Sequence, residues 1–403
     1  MNYKNFLFLL FFIVISLQSE SQSLDSLLNN KRVYYASDIV NLPPPKIDGK
    51  LSDSCWNIGE WQGNFTQQQP NSGAEPSEQT KIKIVYDKLN LYVAVLCYDK
   101  NPEDIRDIFN ARDAFSGDIT GIAFDSYFDK RTAFEFNVTA AGQKIDLKHL
   151  GDYQWDYNWN AVWDGKSSVT DSGWIAEMRI PFSQLRYSNP EEQVWGMHIW
   201  RWIERRSEED QWQLIPREAP AMVYLFGELK GIDNIKHSRQ VEFLPYGLLS
   251  TQYTGENKLI EPLNYDAGID AKIGIGSDYT LDATVNPDFG QVEADPSVLN
   301  LTSFETFYQE KRPFFLEGTE IFDFELGGDI VYYSRRIGSS PVFPGRYKSL
   351  MISDIPNHTT ILSSAKFTGK SKKGLSVGIL NSLTAQEFAN ATTNDTVNYK
   401  IPV

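Results

Sequence analysis

The stretch Asn264 to Thr284 reads NYDAGIDAKIGIGSDYTLDAT, with Tyr265, Ala267, Ile269, Ala271, Ile273 and Ile275 at every odd position. Asn264, Asp266, Gly268, Asp270, Lys272 and Gly274 fill the even ones, and Tyr279, Leu281 and Ala283 resume the odd phase after Gly276-Ser277-Asp278. Side chains on an extended strand alternate between faces, so the run predicts two strands joined by a turn, each with one apolar and one polar face. A sandwich and a membrane barrel both accept this pattern. Tyrosines at the strand starts and small residues on the polar face suit a barrel, with lipid outside and water within.

The amino terminus points to export. Lys4 supplies a positive charge, Phe6 to Leu17 is apolar apart from Ser16, and Ser19 and Ser21 are the small side chains a signal peptidase requires. Residues 1–21 therefore read as a signal peptide cut before Gln22. A dozen apolar residues fall short of the ~20 needed by a spanning helix, and the lack of a following cysteine argues against a lipoprotein anchor. No later segment reads as a transmembrane helix, so any return to a membrane is expected through strands.

Composition narrows the partners. With 403 residues, 41% hydrophobic and 13% aromatic, the chain can bury one large core or two moderate ones. A net charge of -15 argues against nucleic acid or an anionic membrane surface and leaves neutral ligands and cations. Cys55 and Cys97 could form a disulfide in an exported chain, or lie apart as two buried thiols.

Residues 22–43 read as a linker, stopped by the stiff run Pro43, Pro44 and Pro45. Beyond it, KIDGKLSDSCW (Lys46 to Trp56) turns at Asp48-Gly49 and is anchored by Leu51 and Trp56. Ile82 to Asp99 holds two apolar runs split at Asp87 to Asn90, a hairpin pattern. Ile119 to Val138 repeats it around Asp125 to Arg131, and Trp174 to Ile180 and Val194 to Ile203 are further strands. Trp200 and Trp202 share one face of the last strand and are expected in the core. Many short strands with almost no helical periodicity predict an all-β chain with an antiparallel β-sandwich over residues 44–232.

These segments, with SGWIAEMRIPFSQL (Ser172 to Leu185) and YLFGELKGI (Tyr224 to Ile232), resemble a family 9 carbohydrate-binding module. The resemblance implies a β-sandwich that binds sugar chain ends between stacked tryptophans, carries structural calcium, and accompanies polysaccharide-degrading enzymes. Where such modules place their first stacking tryptophan, this chain has Phe115; where the second is due, it has Pro220 and Ala221. A module carboxylate aligns near Gly121.

A second resemblance lies in NPDFGQVEADPSVLNLTSFETFYQEKRPFFLEG, residues 286–318. It is similar to the signature block of an exported Gram-negative family of unknown function, in which such a module precedes an outer-membrane β-barrel domain. Residues 238–403 are then expected to be the first six or seven strands of that barrel, including runs at Ile330 to Ile337, Thr360 to Phe367 and Leu375 to Thr384. Eight strands close the smallest membrane barrels, and the chain ends at Val403 without a terminal aromatic. A truncated or fragmentary member is expected, located in the outer membrane, periplasm or cell surface.

Sugar binding needs flat aromatic faces and planar polar groups. Candidate ligand contacts are Phe115, Trp155, Trp159, Trp163 and Trp212. The three tryptophans of YQWDYNWNAVW stand four apart among Asp152, Asp156, Asn158 and Asn160. That spacing equally lines one helical face, and a tryptophan in a sandwich is more often core than contact. Trp212 is expected in a surface loop. Asp118, Asp125 and Asp129 could supply oxygens to a calcium ion, or be solvated turn residues. The histidines His149, His198, His237 and His358 fit no zinc motif.

Three functions follow. The first is a carbohydrate-binding outer-membrane protein recognising a polysaccharide or oligosaccharide, in glycan uptake or catabolism. The second is a glycoside hydrolase or its accessory domain, which would need paired carboxylates. Asp288, Glu293, Asp295, Glu305, Glu310 and Glu317 cluster with Lys311 and Arg312, either for such chemistry or as an ion-paired plug segment. The third is a structural envelope protein. Nucleophile-elbow and phosphate-loop motifs are missing from the sequence.

Overall fold

A computed structural model describes residues 28, 30–151, 153–187, 192–235, 240–250, 264–276 and 279–287, and parts of 310–402. The expected export signal, the start of the expected linker and most of the 286–318 block lie outside these residues, and the described part of that linker is not a spacer, since Val33–Tyr35 and Ser37–Asp38 are strands paired into the sheets. The chain divides into two units, Met1–Ser238 and Arg239–Val403.

The first unit is built from β1 (Val33–Tyr35), β2 (Ser37–Asp38), β3 (Thr66–Gln69), β4 (Thr80–Tyr86), β5 (Asn90–Tyr98), β6 (Ile119–Asp125) and β7 (Ala133–Thr139). It continues with β8 (Lys144–Gly151), β9 (Gln154–Asp156), β10 (Asp164–Thr170), β11 (Gly173–Pro181), β12 (Glu192–Ile203), β13 (Glu208–Gln211) and β14 (Gly227–Asp233). One sheet runs β1-β14-β12-β6-β7-β8-β9, with β13 attached to β12 and β3 to β13; the other runs β10-β11-β5-β4-β2.

Period-two alternation sets the core. On β5, Leu91, Val93, Val95 and Cys97 enter the main core with Ile122, Phe124 and Phe136 from the facing sheet. Tyr92 and Ala94 point the other way, against Cys55 and Trp56. The two cysteines are thus separate buried free thiols, and burial pushes them up to about 11 for Cys55 and about 12 for Cys97.

The Asp48-Gly49 turn is held by a buried carboxylate. Asp48, Gly49 and Lys50 backbone N–H groups donate to Glu177 Oε2 at 3.1, 2.7 and 3.1 Å, and Trp56 Nε1 donates to Oε1 at 2.9 Å. Gly49 adopts φ +80°, and a Cβ there would meet the Ser167 backbone at 2.8 Å. That turn therefore has to carry glycine.

In the second unit the predicted hairpin is present as Asn264–Ile275 and Tyr279–Val285, antiparallel with Ile275 opposite Tyr279. A five-stranded antiparallel sheet runs Val241–Ser250, Asn264–Ile275, Tyr279–Val285, Ile361–Lys370 and Ser376–Thr384. It is open, with no closed barrel among the described residues. The expected strand at Ile330 to Ile337 is instead a two-residue strand ending at Ile330 and a 3-10 turn over Ser334–Arg336.

This sheet buries its polar face. Thr280, Asp282, Thr284, Ser364, Lys366 and Thr368 are buried, while Phe243, Tyr265, Ile275, Ile379 and Leu383 are exposed. The short helix Pro313–Leu316 lies against the polar side: Lys366 Nζ donates to the Phe314 carbonyl at 2.6 Å. Arg312 makes a bidentate pair with Glu310 (2.8 and 2.7 Å) and donates to the Ile337 and Ser334 carbonyls. Of the acidic and basic residues expected to cluster in this block, the Glu310–Arg312 ion pair is described; Asp288, Glu293, Asp295, Glu305, Lys311 and Glu317 lie outside the described residues.

Candidate functional site

Strands β12, β6, β7 and β8 lie side by side, and their outward positions form one continuous face. Register places Trp200 opposite Gly121, Gly121 opposite Asn137, Ala123 opposite Glu135, and Ala133 opposite His149. Glycine at 121 is required sterically, because a Cβ there would lie 1.7 Å from Asn137 Oδ1 and 2.5 Å from Trp200 Nε1. The missing side chain lets the Trp200 indole lie across β6 to β7.

Glu135 is the hub of the face. Its Oε1 accepts the Trp200 indole N–H at 3.1 Å, and its Oε2 lies 2.6 Å from His149 Nε2. Burial opposes its charge, but the hydrogen bond and charge of His149, aided by His198 and the indole, hold the carboxyl below its usual range. His198 stacks on Phe226 at 5.1 Å and 17°, and burial pushes it down to about 4 despite Glu135. Asn137 Oδ1 and His198 Nδ1 are buried without partners. The polar array is thus buried, with two acceptors left without partners.

Aromatic rings rim this array. Trp155 on β9 packs edge-on to His149 and Tyr153, and Phe115 packs edge-on to Tyr157 at 6.1 Å. Trp155 is 38% exposed, Phe115 47% and Tyr157 52%. The segment 215–226 covers the other end of the face through Ile215, Val223, Leu225 and Phe226, and Tyr153 Oη donates to the Ala219 carbonyl at 2.9 Å.

Several expected contacts lie elsewhere. Trp163 and Trp212 are 3% and 1% exposed and belong to the main core, so neither presents a ring to a ligand. Trp159 packs on that core between Phe134 and Phe136. Trp200 and Trp202, expected inside, are half-buried on the outward face, because Trp195, Met197 and Ile199 supply the inner one. Residues 153–163 form no helix, so a four-residue spacing puts their tryptophans in different surroundings.

The three aspartates expected at calcium are not brought together. Asp118 precedes β6 and Asp125 ends it, roughly 23 Å of strand apart. Asp118 lies near Arg201 and Arg205 and accepts the Glu204 N–H, an environment that repels a cation. Asp125 accepts the Asp129 and Lys130 N–H groups, and Asp129 accepts those of Arg131 and Thr132, so both carboxylates serve their turn. Burial, then Asp129, pushes Asp125 up to about 7. Among the described residues, no three His, Cys, Asp or Glu side chains group as a metal site.

Sequence reasoning missed Glu135, Asn137, His149 and Trp200. The signal was available in AFEFNVT, where two polar residues alternate with apolar ones beside a strand carrying Gly121.

Comparison with known proteins gives two family matches. Residues 47–211 match the family described as carbohydrate family 9 binding domain-like, and residues 239–402 match the domain of unknown function DUF5916. The first unit is therefore a family 9 carbohydrate-binding-like β-sandwich, followed by a second domain of the DUF5916 type. Among solved structures, the chain is similar to a family 9 carbohydrate binding module from Caldicellulosiruptor kristjanssonii in complex with glucose. Identity is 20% over 49% of this chain and 95% of that one, with a TM-score of 0.36. The same module with cellotriose gives 20%, 49%, 93% and 0.37. No curated protein matches the chain.

Proposed function

We propose that the first unit is a carbohydrate-binding module whose ligand site is the outward face around Glu135. The observation that carries this reading is the Trp200–Glu135–His149 network, with the unpartnered Asn137 and His198 acceptors beside it and exposed rings at its rim. The exposed rings supply C–H stacking surfaces beside a buried polar network, the two kinds of partner a sugar ring requires. The match of residues 47–211 to a carbohydrate-binding family supports it.

The second unit is proposed to be the opening part of an outer-membrane barrel, so that the chain is exported and acts in glycan recognition or uptake at the envelope. Its support is the inverted sheet, apolar outside and polar beneath a plug segment, since lipid is the solvent in which that arrangement is favourable.

Isothermal titration and affinity electrophoresis of the full chain across neutral oligosaccharides test the first reading. Binding that is lost in Trp155→Ala and Glu135→Gln is expected. A blank panel with a folded protein refutes it and favours the structural role.

A further inference from the structure

A second concave surface on the first unit has a different chemistry. A pocket of about 640 Å³ opens between the start of β10, the β7–β8 turn, the Phe109 to Arg112 loop and Pro45 to Ile47. Lys46, Arg112, Lys144, Lys166 and Arg179 line it, and Asp164 is its lone lining carboxylate. In a chain of 53 acidic and 38 basic residues, five cations against one acid runs counter to composition.

Five cations meet four carboxylates around the pocket, Asp48, Asp113, Asp146 and Asp164, which leaves one positive charge in excess. Arg112 is tied to the fully buried Asp146 at 2.5 Å and to Asp113 at 3.3 Å, Lys46 reaches Asp48 at 3.2 Å, and Arg179 pairs with Asp164. Lys144 Nζ donates to the Trp163 carbonyl at 2.6 Å rather than to a carboxylate. Burial, then the nearby Arg112, pushes its ammonium below the usual lysine range against the opposing pull of Asp164, Asp146 and Asp113. Lys166 stands exposed on β10.

The pocket is also preformed. Asp113 N–H donates to the Lys144 carbonyl at 3.2 Å, and the Asp146 N–H donates to Asp113 Oδ1 at 3.3 Å. The Gln143 amide, turned to satisfy all its neighbours, donates to Thr139 Oγ1 and the Ile108 carbonyl and accepts the Asn110 N–H at 3.1 Å. These bonds fix the loop that presents Phe109, which is 86% exposed and offers a flat apolar ring beside the cations.

We propose that this pocket binds the acidic group of a small saccharide, a sugar carboxylate or sulfate ester, with Lys144, Lys166 and Lys46 facing the anion and Phe109 against the ring. Cations supply charge-assisted hydrogen bonds to such a group, and the aromatic face selects a sugar over a bare anion. A long polyanion is disfavoured because the remainder of a chain of net charge -15 repels it. The site is separate from the Glu135 face and shares with it only the expectation of a saccharide ligand.

Calorimetric titration of the full chain with trigalacturonate, its methyl ester, a sulfated disaccharide, cellotriose and sodium sulfate tests the proposal. The expected result is binding of trigalacturonate or the sulfated disaccharide, which tells the two acid types apart, and none of the methyl ester at this site. Affinity is expected to fall about tenfold in the double variant Lys46→Ala/Lys166→Ala, both exposed side chains, and to weaken with added salt. Phe109→Ala is expected to weaken the acidic saccharides while leaving any sulfate binding unchanged. Trp155→Ala is expected to leave acidic-saccharide binding intact, so failure here and failure at the Glu135 face are distinguishable. The proposal is overturned by the absence of heat from every acidic saccharide at millimolar concentration, by unchanged affinity in the double variant, or by sodium sulfate binding as tightly as the sugars.

Discussion

His149 Nε2 lies 2.6 Å from Glu135 Oε2, with both side chains buried on the outward face of the larger sheet. The Trp200 indole N–H takes the other carboxylate oxygen, so the charge is held by two ring nitrogens from different strands. An isolated buried carboxylate would be costly; a doubly bonded one is a fixed, oriented acceptor. Fold and proposed site are coupled here, because the same contacts that lock β7 to β8 and β12 also set the polar array.

Glu135→Gln is expected to change the acid limb of stability. The folded carboxyl lies below its ordinary value of 4.5, so its contribution is complete above that value and is lost as pH falls through the folded one. Urea midpoints measured from pH 6 to pH 3 should therefore fall less steeply in the variant than in the parent. A parallel decline in the two proteins would show that the pair contributes nothing to stability.

His198 acts in the same sense over a higher pH interval. Its folded value of about 4 lies below the ordinary 6.5, so the unfolded chain takes up the proton first as pH drops, and stability declines from about pH 6.5 downward. Between pH 7 and pH 5 this amounts to about 2 kcal/mol. Asp125, pushed up to about 7, gains stability over the same interval, so only the difference between the parent and His198→Leu isolates the histidine. Equal pH dependence in the two would count against a neutral buried His198.

Trp155→Ala and Trp163→Ala are expected to separate binding from stability. Trp155 is 38% exposed, and its removal should cost less than about 1 kcal/mol in urea unfolding while weakening sugar binding tenfold or more. Trp163 is buried in the main core, with its indole N–H donating to Asp146 at 3.1 Å. Its removal should cost about 3–5 kcal/mol. Comparable destabilisation in the two variants would remove the distinction drawn between rim and core.

The difference between these tryptophans was not legible in the sequence. Within a strand, parity tells which side chains share a face, and so the hairpins at Ile82 to Asp99 and Ile119 to Val138 are legible with their turns. Between residues 153 and 163 the chain leaves regular structure, with Tyr153 at φ +53°, and parity no longer propagates. Trp200 failed for another reason. Both faces of β12 are rich in large apolar groups, and only the pairing with Gly121 shows which one is outward. The Glu135 network brings together residues 65 positions apart, and the cationic pocket joins residues from 46 to 179, so both sites exist only after the sheets are assembled.

The exposed face of the second-unit sheet supplies the last test. Ile379 is 59% exposed and stands opposite Phe367, whose ring stacks on Tyr279 at 5.3 Å. In water such a row is a liability, whereas against lipid tails it is the favoured outer surface. Ile379→Lys is therefore expected to improve solubility without detergent and to reduce incorporation into phosphatidylcholine vesicles, a cost of about 2–4 kcal/mol if the position lies near the bilayer midplane. Ile379→Val should incorporate like the parent. Flotation of vesicles on a density gradient reads both outcomes. Equal flotation of the lysine and valine variants would mean that something other than lipid covers this face, and the barrel reading would fall with it.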